Sequence, residues 1–238
     1  MKTIGLIGGM SWESSAVYYR VINEEVKKYL GGLHSSKCLL ASVDFAEIEA
    51  YQMKGNWNLA GQLLGQTAEK LQAAGADFIV ICTNTMHKVV PMIEQYITIP
   101  ILHIADATAD TILQEGYEKI GLLGTKFTME QDFYKDCLIG KGIQPIIPTE
   151  TERNEVHRII YEELCLGMIK DASRDFYLSV IENLQKQGAQ GIILGCTEIG
   201  LLITTQHTNL PLFDTTLIHA QMAALESIES IHTSKLKR

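Results

Sequence analysis

The sequence lacks any long apolar run: its unbroken hydrophobic stretches are a few residues each, far short of the roughly 20 residues a membrane helix needs. Basic residues are also in short supply. There are 20 Lys and Arg against 28 Asp and Glu, and a net charge of −8 leaves no basic surface to recruit nucleic acid or anionic lipid. Charged residues are 20% of the chain and hydrophobic ones 46%, which excludes a disordered tail and a highly charged coiled coil. No low-complexity stretch and no Pro- or Ser-rich linker interrupts the 238 residues, a length suited to one large or two small domains. The opening MKTIGLIGGM carries one Lys, but glycines and then Trp12 and Glu13 break it before a signal-peptide core forms. Five cysteines (Cys38, Cys82, Cys137, Cys165 and Cys196) are odd in number, widely spaced and without a CxxC pair. The expectation is a reduced, cytoplasmic protein rather than a disulfide scaffold or zinc ribbon. No His/Cys/carboxylate set shows ligand spacing, so no metal site is expected.

What is present is alternation. Short apolar runs read as strands at Thr3–Ile7, Cys38–Val43, Phe78–Cys82, Ile99–Ile104, Lys119–Leu123, Gln144–Ile147, Ile192–Gly195 and Leu210–Phe213. Amphipathic stretches lie between them. Ser11 caps a helix through Tyr29 that Gly31 and Gly32 stop, Asn58 caps one ending at Gly75, and Ser173 begins one ending at Gly188. The pattern predicts an α/β fold with parallel sheets.

An internal repeat organises these elements. Lys2–Gly8 matches Glu118–Gly124 at an offset of 116, and Ile99–Ile101 matches Leu210–Leu212 at 111. Between them, Leu71–Ile81 matches Leu184–Leu194 at 113 with 5 of 11 residues identical. Three matches in one order at nearly constant spacing indicate a duplicated α/β module. The expected domains are 1–104 with 212–238, and 105–211. Open α/β sheets bind ligands at the carboxyl ends of their strands, so two such modules are expected to share a ligand cleft. The repeat makes Thr83 and Cys196 equivalent, each just past a buried strand.

Three segments could carry chemistry. Gly8-Gly9-Met10-Ser11 reads either as a tight turn or as a helix N-terminus whose backbone N–H groups hold an anion; it lacks GxGxxG spacing, and Glu13 would repel a pyrophosphate. Asn84 and Thr85, in Cys82-Thr83-Asn84-Thr85-Met86-His87, are either a carboxylate clamp or ordinary helix caps. His87 by itself reads as a packed or surface histidine. Gly195-Cys196-Thr197-Glu198 places a thiol at an expected helix start, where positive partial charge would lower its pKa. A buried inert cysteine is the alternative there, and the repeat favours the reactive reading. Cys38 and Cys137 read as packing residues.

These residues carry a resemblance. Over nearly its whole length the chain resembles the cofactor-independent aspartate/glutamate racemase superfamily, in its duplicated modules, in a Cys-Asn-Thr-x-His motif and in a Gly-Cys-Thr-Glu motif. The second motif is intact here. The first departs at its leading residue, where Thr83 stands for cysteine. The resemblance implies two pseudo-symmetric α/β domains, each a short parallel sheet flanked by helices, with the active site in the cleft between them. It also implies amino-acid substrates without pyridoxal phosphate or another cofactor. Inverting a stereocentre by proton transfer needs a base on one face of Cα and an acid on the other, which two equivalent groups can supply. The expected pair is Cys196 as the strong base and Thr83 as a poor partner, because an alcohol is far less acidic than a thiol. Cys82 is adjacent to Thr83 but points to the other face of its strand, into the core. Backbone N–H groups near Asn84, Thr85 and Thr197 would stabilise the developing enolate. By resemblance Met10 and Thr125 line the same site, and Cys196 attends the L-face of the substrate.

Specificity is less marked. Where similar aspartate racemases carry an Arg after the second strand and a Lys further on, this chain has Gln52 (or Tyr51) and Cys165, neither of which adds positive charge. The expected substrate-binding set is therefore Met10, Gln52, Asn84, Thr85, Thr125, Cys165, Thr197 and Glu198. The expected partner is a small-molecule amino acid, with no nucleic acid and no membrane. A homodimer is compatible with the sequence, which does not fix the oligomeric state. Two rivals to racemisation stand: a decarboxylase or cis–trans isomerase of a small dicarboxylate, and a non-catalytic amino-acid-binding protein.

Overall fold

The structure, a computed structural model, describes residues 1–235, with side chains through residue 229. It divides into two compact units, Met1–His103 with the chain from His219 onward, and Ile104–Ile218.

The first unit contains β1 (Ile4–Gly8), α1 (Trp12–Leu30), β2 (Cys38–Ser42), α2 (Phe45–Met53), α3 (Trp57–Ala73), β3 (Phe78–Ile81), α4 (Val90–Ile93) and β4 (Ile101–Leu102). Its sheet is parallel, in the order β2-β1-β3-β4. Both faces are buried, and the strand period of two sorts the side chains between them. Ile7, Ile79 and Ile81 pack with Ala60, Leu64 and Ala68 of α3. Ile4, Leu6, Phe78, Val80 and Cys82 pack with Tyr18, Ile22 and Val26 of α1 and with Ala220, Ala223 and Ala224 near the chain's end.

The second unit contains α5 (Ile104–Gln114), β5 (Lys119–Gly124), α6 (Lys126–Glu130), α7 (Asp132–Gly140), β6 (Gln144–Ile146), α8 (Glu150–Glu162), α9 (Asp171–Lys186), β7 (Gly191–Gly195), α10 (Ile199–Leu202) and β8 (Leu212–Asp214). Its parallel sheet has the order β6-β5-β7-β8, the same topology again. The α/β class with two four-stranded parallel sheets is as the sequence predicts. A final helix, α11 (Thr215–Lys235), begins in the second unit and continues into the first.

Pairing register shows how far the duplication extends. Gly5 lies opposite Ile79 in the first sheet, and Gly121 opposite Ile192 in the second. Counting on from Ile79 and Ile192 brings Thr83 and Cys196 to the same register position. Backbone bonds repeat with it: Ile79 N–H donates to the Pro100 carbonyl (2.9 Å) and Ile192 N–H to that of Pro211 (2.8 Å). So do side-chain clips at the strand starts. Asp77 Oδ2 accepts the Thr3 N–H (2.6 Å), and Gln190 Oε1 accepts that of Lys119 (2.9 Å).

Several boundaries differ from expectation. The return to the first unit comes at His219 rather than 212, because Leu212–Asp214 forms β8 and pairs with β7. Residues 236–238, the last of the expected segment 212–238, lie outside the described residues. Ile104 opens α5 instead of ending a strand. Asn58 lies inside α3 behind Asn56, and Ser173 lies in the first turn of α9, where its hydroxyl donates to Glu163 Oε2 (2.5 Å).

Candidate active site

In the first unit, Ser11 caps α1 and accepts the Ser14 N–H at 3.4 Å. Ser15 Oγ accepts the Gly9 N–H (2.8 Å) and donates to the Ser11 carbonyl (3.0 Å). The Gly9 donor is thus engaged by the protein itself, which is the tight-turn arrangement. Met10 is 4% exposed and packs in the cluster of Ile7, Ile48 and Met86.

Beyond β3, Cys82 is fully buried, and burial pushes its thiol far up. Thr83 follows, partly exposed, with its N–H donating to the Ile81 carbonyl (2.9 Å). Its own carbonyl accepts from His87 Nδ1 (2.8 Å). A 3₁₀ turn, Thr85–Val89, comes next. Asn84 sits at its N-cap position without a side-chain cap bond, which corrects the capping reading. The reason is local: Asn84 is already helical (φ −72°, ψ −50°), whereas a capping residue is extended and its side chain accepts the N–H two or three residues further on. Asn84 and Thr85 are both buried. The segment after the second strand is helix α2, not a loop, because Asp44 caps it by accepting the Ala46 N–H (3.1 Å). That turns Gln52 inward, where its Nε2 donates to Met86 Sδ (3.1 Å), while the Tyr51 hydroxyl donates to Glu47 (2.8 Å).

In the second unit, Cys196 follows β7 directly and is partly buried. Its thiol donates to Glu198 Oε2 at 2.9 Å. The expectation of a depressed pKa is corrected. Burial, the Glu198 carboxylate and the neighbouring Cys165 all raise the Cys196 pKa well above its ordinary value. The following helix, α10, has four residues, so its partial dipole is too short to offset those effects. Thr197 accepts from the Thr216 hydroxyl (3.2 Å). Cys165 lies in a short 3₁₀ segment, Leu164–Leu166, against the main core of this unit. Beside it, buried Glu163 is bound by Ser173, Arg158 (3.0 Å) and Lys170 (3.3 Å), and these donors lower its pKa against the opposing effect of burial. Thr125 caps α6 at the carboxyl end of β5, accepting the Thr128 N–H at 3.3 Å.

The structure therefore gathers Cys165, Cys196, Thr197 and Glu198 in the second unit, and Thr83, Asn84 and Thr85 in the first. Sequence reasoning missed a buried histidine group in the first unit: His87 and His219, which are 1% and 0% exposed, with partly buried His103. His103 and His219 lie 16 and 132 residues beyond His87, and no local spacing signals their meeting. Among the described residues no group of three or more His, Cys, Asp or Glu is arranged to hold a metal ion.

Known proteins match this chain broadly. A crystal structure of a candidate Asp/Glu racemase from Yersinia pestis is similar at 59% identity and a TM-score of 0.91, covering 96% of this chain and 100% of that one. An aspartate racemase homologue from Pyrococcus horikoshii OT3 is similar at 33% identity and a TM-score of 0.83, over 95% of this chain and 99% of that one. The broad specificity amino-acid racemase RacX of Bacillus subtilis is 28% identical over 152 residues, 62% of this chain, and the match spans 63% of that protein's length. The family model for Asp/Glu/hydantoin racemases matches residues 7–223. The chain belongs to the Asp/Glu/hydantoin racemase family.

Proposed function

We propose that the protein is an amino-acid racemase acting on aspartate or glutamate without pyridoxal phosphate, with Cys196 as its main base and Thr83 serving the other face of Cα. The single observation that carries this reading is the Cys196–Glu198 pair, at the register position that Thr83 occupies in the first module. A neutral thiol is a poor base for a Cα–H bond. Glu198 gives its proton somewhere to go: the carboxylate accepts it along the existing 2.9 Å hydrogen bond, leaving a thiolate. The thiolate then removes Cα–H, and the negative charge that develops on the substrate carboxylate is met by backbone N–H groups near Thr197, Asn84 and Thr85. Reprotonation from the opposite face falls to Thr83. Thr83 is partly exposed, and its hydroxyl is a weak acid and a slow donor that regains its proton from water as Glu198 releases the one it took.

The substrate class is supported by the Pyrococcus relative, an aspartate racemase homologue, and the wider amino-acid class by the Bacillus relative. Polarimetry or chiral chromatography of L-aspartate and L-glutamate incubated with the protein, no cofactor added, tests the proposal. Slow appearance of the D-enantiomer, absent with Cys196→Ala, is the expected result. Release of CO₂ or formation of an alkene isomer in place of the D-enantiomer would overturn it.

A further inference from the structure

Thr83 stands outside regular structure, so something must hold its peptide. In the second module the carbonyl of the equivalent residue, Cys196, accepts a backbone N–H, that of Ile199 at 3.1 Å. In the first module the Thr83 carbonyl accepts a side chain, His87 Nδ1, at 2.8 Å. A carbonyl can only accept, so Nδ1 carries the proton. The ring of His87 lies 4.6 Å from that of His103 and 5.7 Å from that of His219, both edge to face.

His219 is fixed by the same logic. Its Nε2 must donate to the Leu102 carbonyl (2.8 Å), which leaves Nδ1 to accept the Tyr18 hydroxyl (2.8 Å). Tyr18 is fully buried and its ring is edge-on to His219, 5.6 Å away. Three rings, Tyr18 of α1, His103 just after β4 and His219 of α11, thus form one chain of ring contacts with the His87 imidazole in the turn after β3.

We propose that His87 is a positioning residue: it clamps the Thr83 peptide and so aims the Thr83 hydroxyl, while His103, His219 and Tyr18 lock the His87 ring. The inference rests on the reading of Thr83 as a proton-transfer group. Its burial beneath neighbouring imidazoles keeps His87 neutral, because desolvation and the other two histidines lower its pKa while hydrogen bonds to the Thr83 and Asn84 backbone only partly oppose them.

The test uses three variants. His87→Asn places an amide N–H where Nδ1–H was; His87→Gln keeps size and polarity but carries its amide one bond farther; His87→Leu has no donor. Amide hydrogen exchange over residues 83–86 should quicken about tenfold in Leu and Gln, with β1 and α1 unchanged, and return toward the parent in Asn. In chiral assays kcat should fall about 10- to 100-fold in Leu and Gln with KM changed less than about threefold, and Asn should recover most of it. Equal behaviour of Asn and Gln, or unaltered exchange at 83–86 in both Leu and Gln, overturns the clamp. If the parent racemises nothing, the functional reading fails, and the hydrogen-exchange comparison still decides the clamp. If Leu does not fold, Asn against Gln decides it.

Discussion

At the scale of the residue, the proposed chemistry turns on a thiol that is harder, not easier, to ionise. Burial, Glu198 and Cys165 all disfavour the Cys196 thiolate, so at neutral pH Cys196 rests as the thiol. Cys196→Ser should remove racemisation almost entirely, by about 10²-fold or more, because an alcohol cannot replace the thiolate as base. Glu198→Gln separates two effects. Loss of the proton acceptor should lower kcat at neutral pH by about 10²- to 10⁴-fold. Loss of the negative charge should let the thiol ionise at lower pH than in the parent, although burial still holds it above the ordinary value of about 8.5. Ultraviolet titration of the thiolate reads the second effect, and a pH profile of kcat, recovering at high pH in the variant, reads the first. A thiol that titrates at higher pH in Glu198→Gln would contradict the Coulombic origin of the shift.

At the scale of the element, the repeat works through shared steric and hydrogen-bonding constraints. A Cβ at Gly5 would lie 2.8 Å from Ile79 Cδ1 and 2.9 Å from Ala76 Cβ; at Gly121 it would lie 2.6 Å from Ile192 Cδ1 and 3.0 Å from Leu184 Cδ1. Gly5→Ala and Gly121→Ala should each destabilise by about 1–3 kcal/mol through overpacking, measured by urea unfolding. The histidine group makes a second prediction. Burial pushes His219 down to about 3, with a smaller contribution from His103 and an opposing one from the Leu102 carbonyl. Its folded pKa lies below the unfolded 6.5, so its neutral form stabilises the fold above pH 6.5, and that stability drains away between pH 6.5 and 3. Lowering the pH from 7 to 5 should cost about 2 kcal/mol from His219 alone, by urea unfolding at each pH. His219→Gln, which retains a donor toward Leu102, should flatten that dependence.

All eight strands are legible in the sequence to within two residues at each end, the fourth changing most as Ile99–Ile104 shrinks to Ile101–Leu102. Their apolar runs are set by burial on both faces, a signal that lies in local composition. Capping was less legible. Asn58 and Ser173 are competent capping residues by type, yet both lie inside their helices, neither N-cap residue, Asn56 or Lys170, makes a side-chain cap bond, and the Ser173 hydroxyl is taken up by Glu163. The Asp44 cap that opens helix α2 is a local signal, but the contact that Gln52 makes with Met86, 34 residues away, is encoded by no local pattern. The Cys196 pKa went the other way from expectation chiefly because the thiol is buried, which no local pattern shows, and then because Glu198, two residues on, is a carboxylate.

At the scale of the whole molecule, duplication supplies two equivalent positions and the sequence then makes them unequal. The first module carries Thr83 on a histidine-held turn, and the second carries Cys196 beside Glu198. That inequality predicts a gain as well as a loss. Thr83→Cys should raise the rate of full racemisation by about tenfold or more, since on the proposed mechanism the slower of the two proton transfers is the one repaired. The most direct measurement of the central claim is deuterium incorporation at Cα in D₂O, followed separately from L- and D-aspartate. The account predicts that label enters the L-enantiomer much faster than racemisation proceeds, while the D-enantiomer exchanges slowly or not at all. Equal exchange from both enantiomers would contradict it.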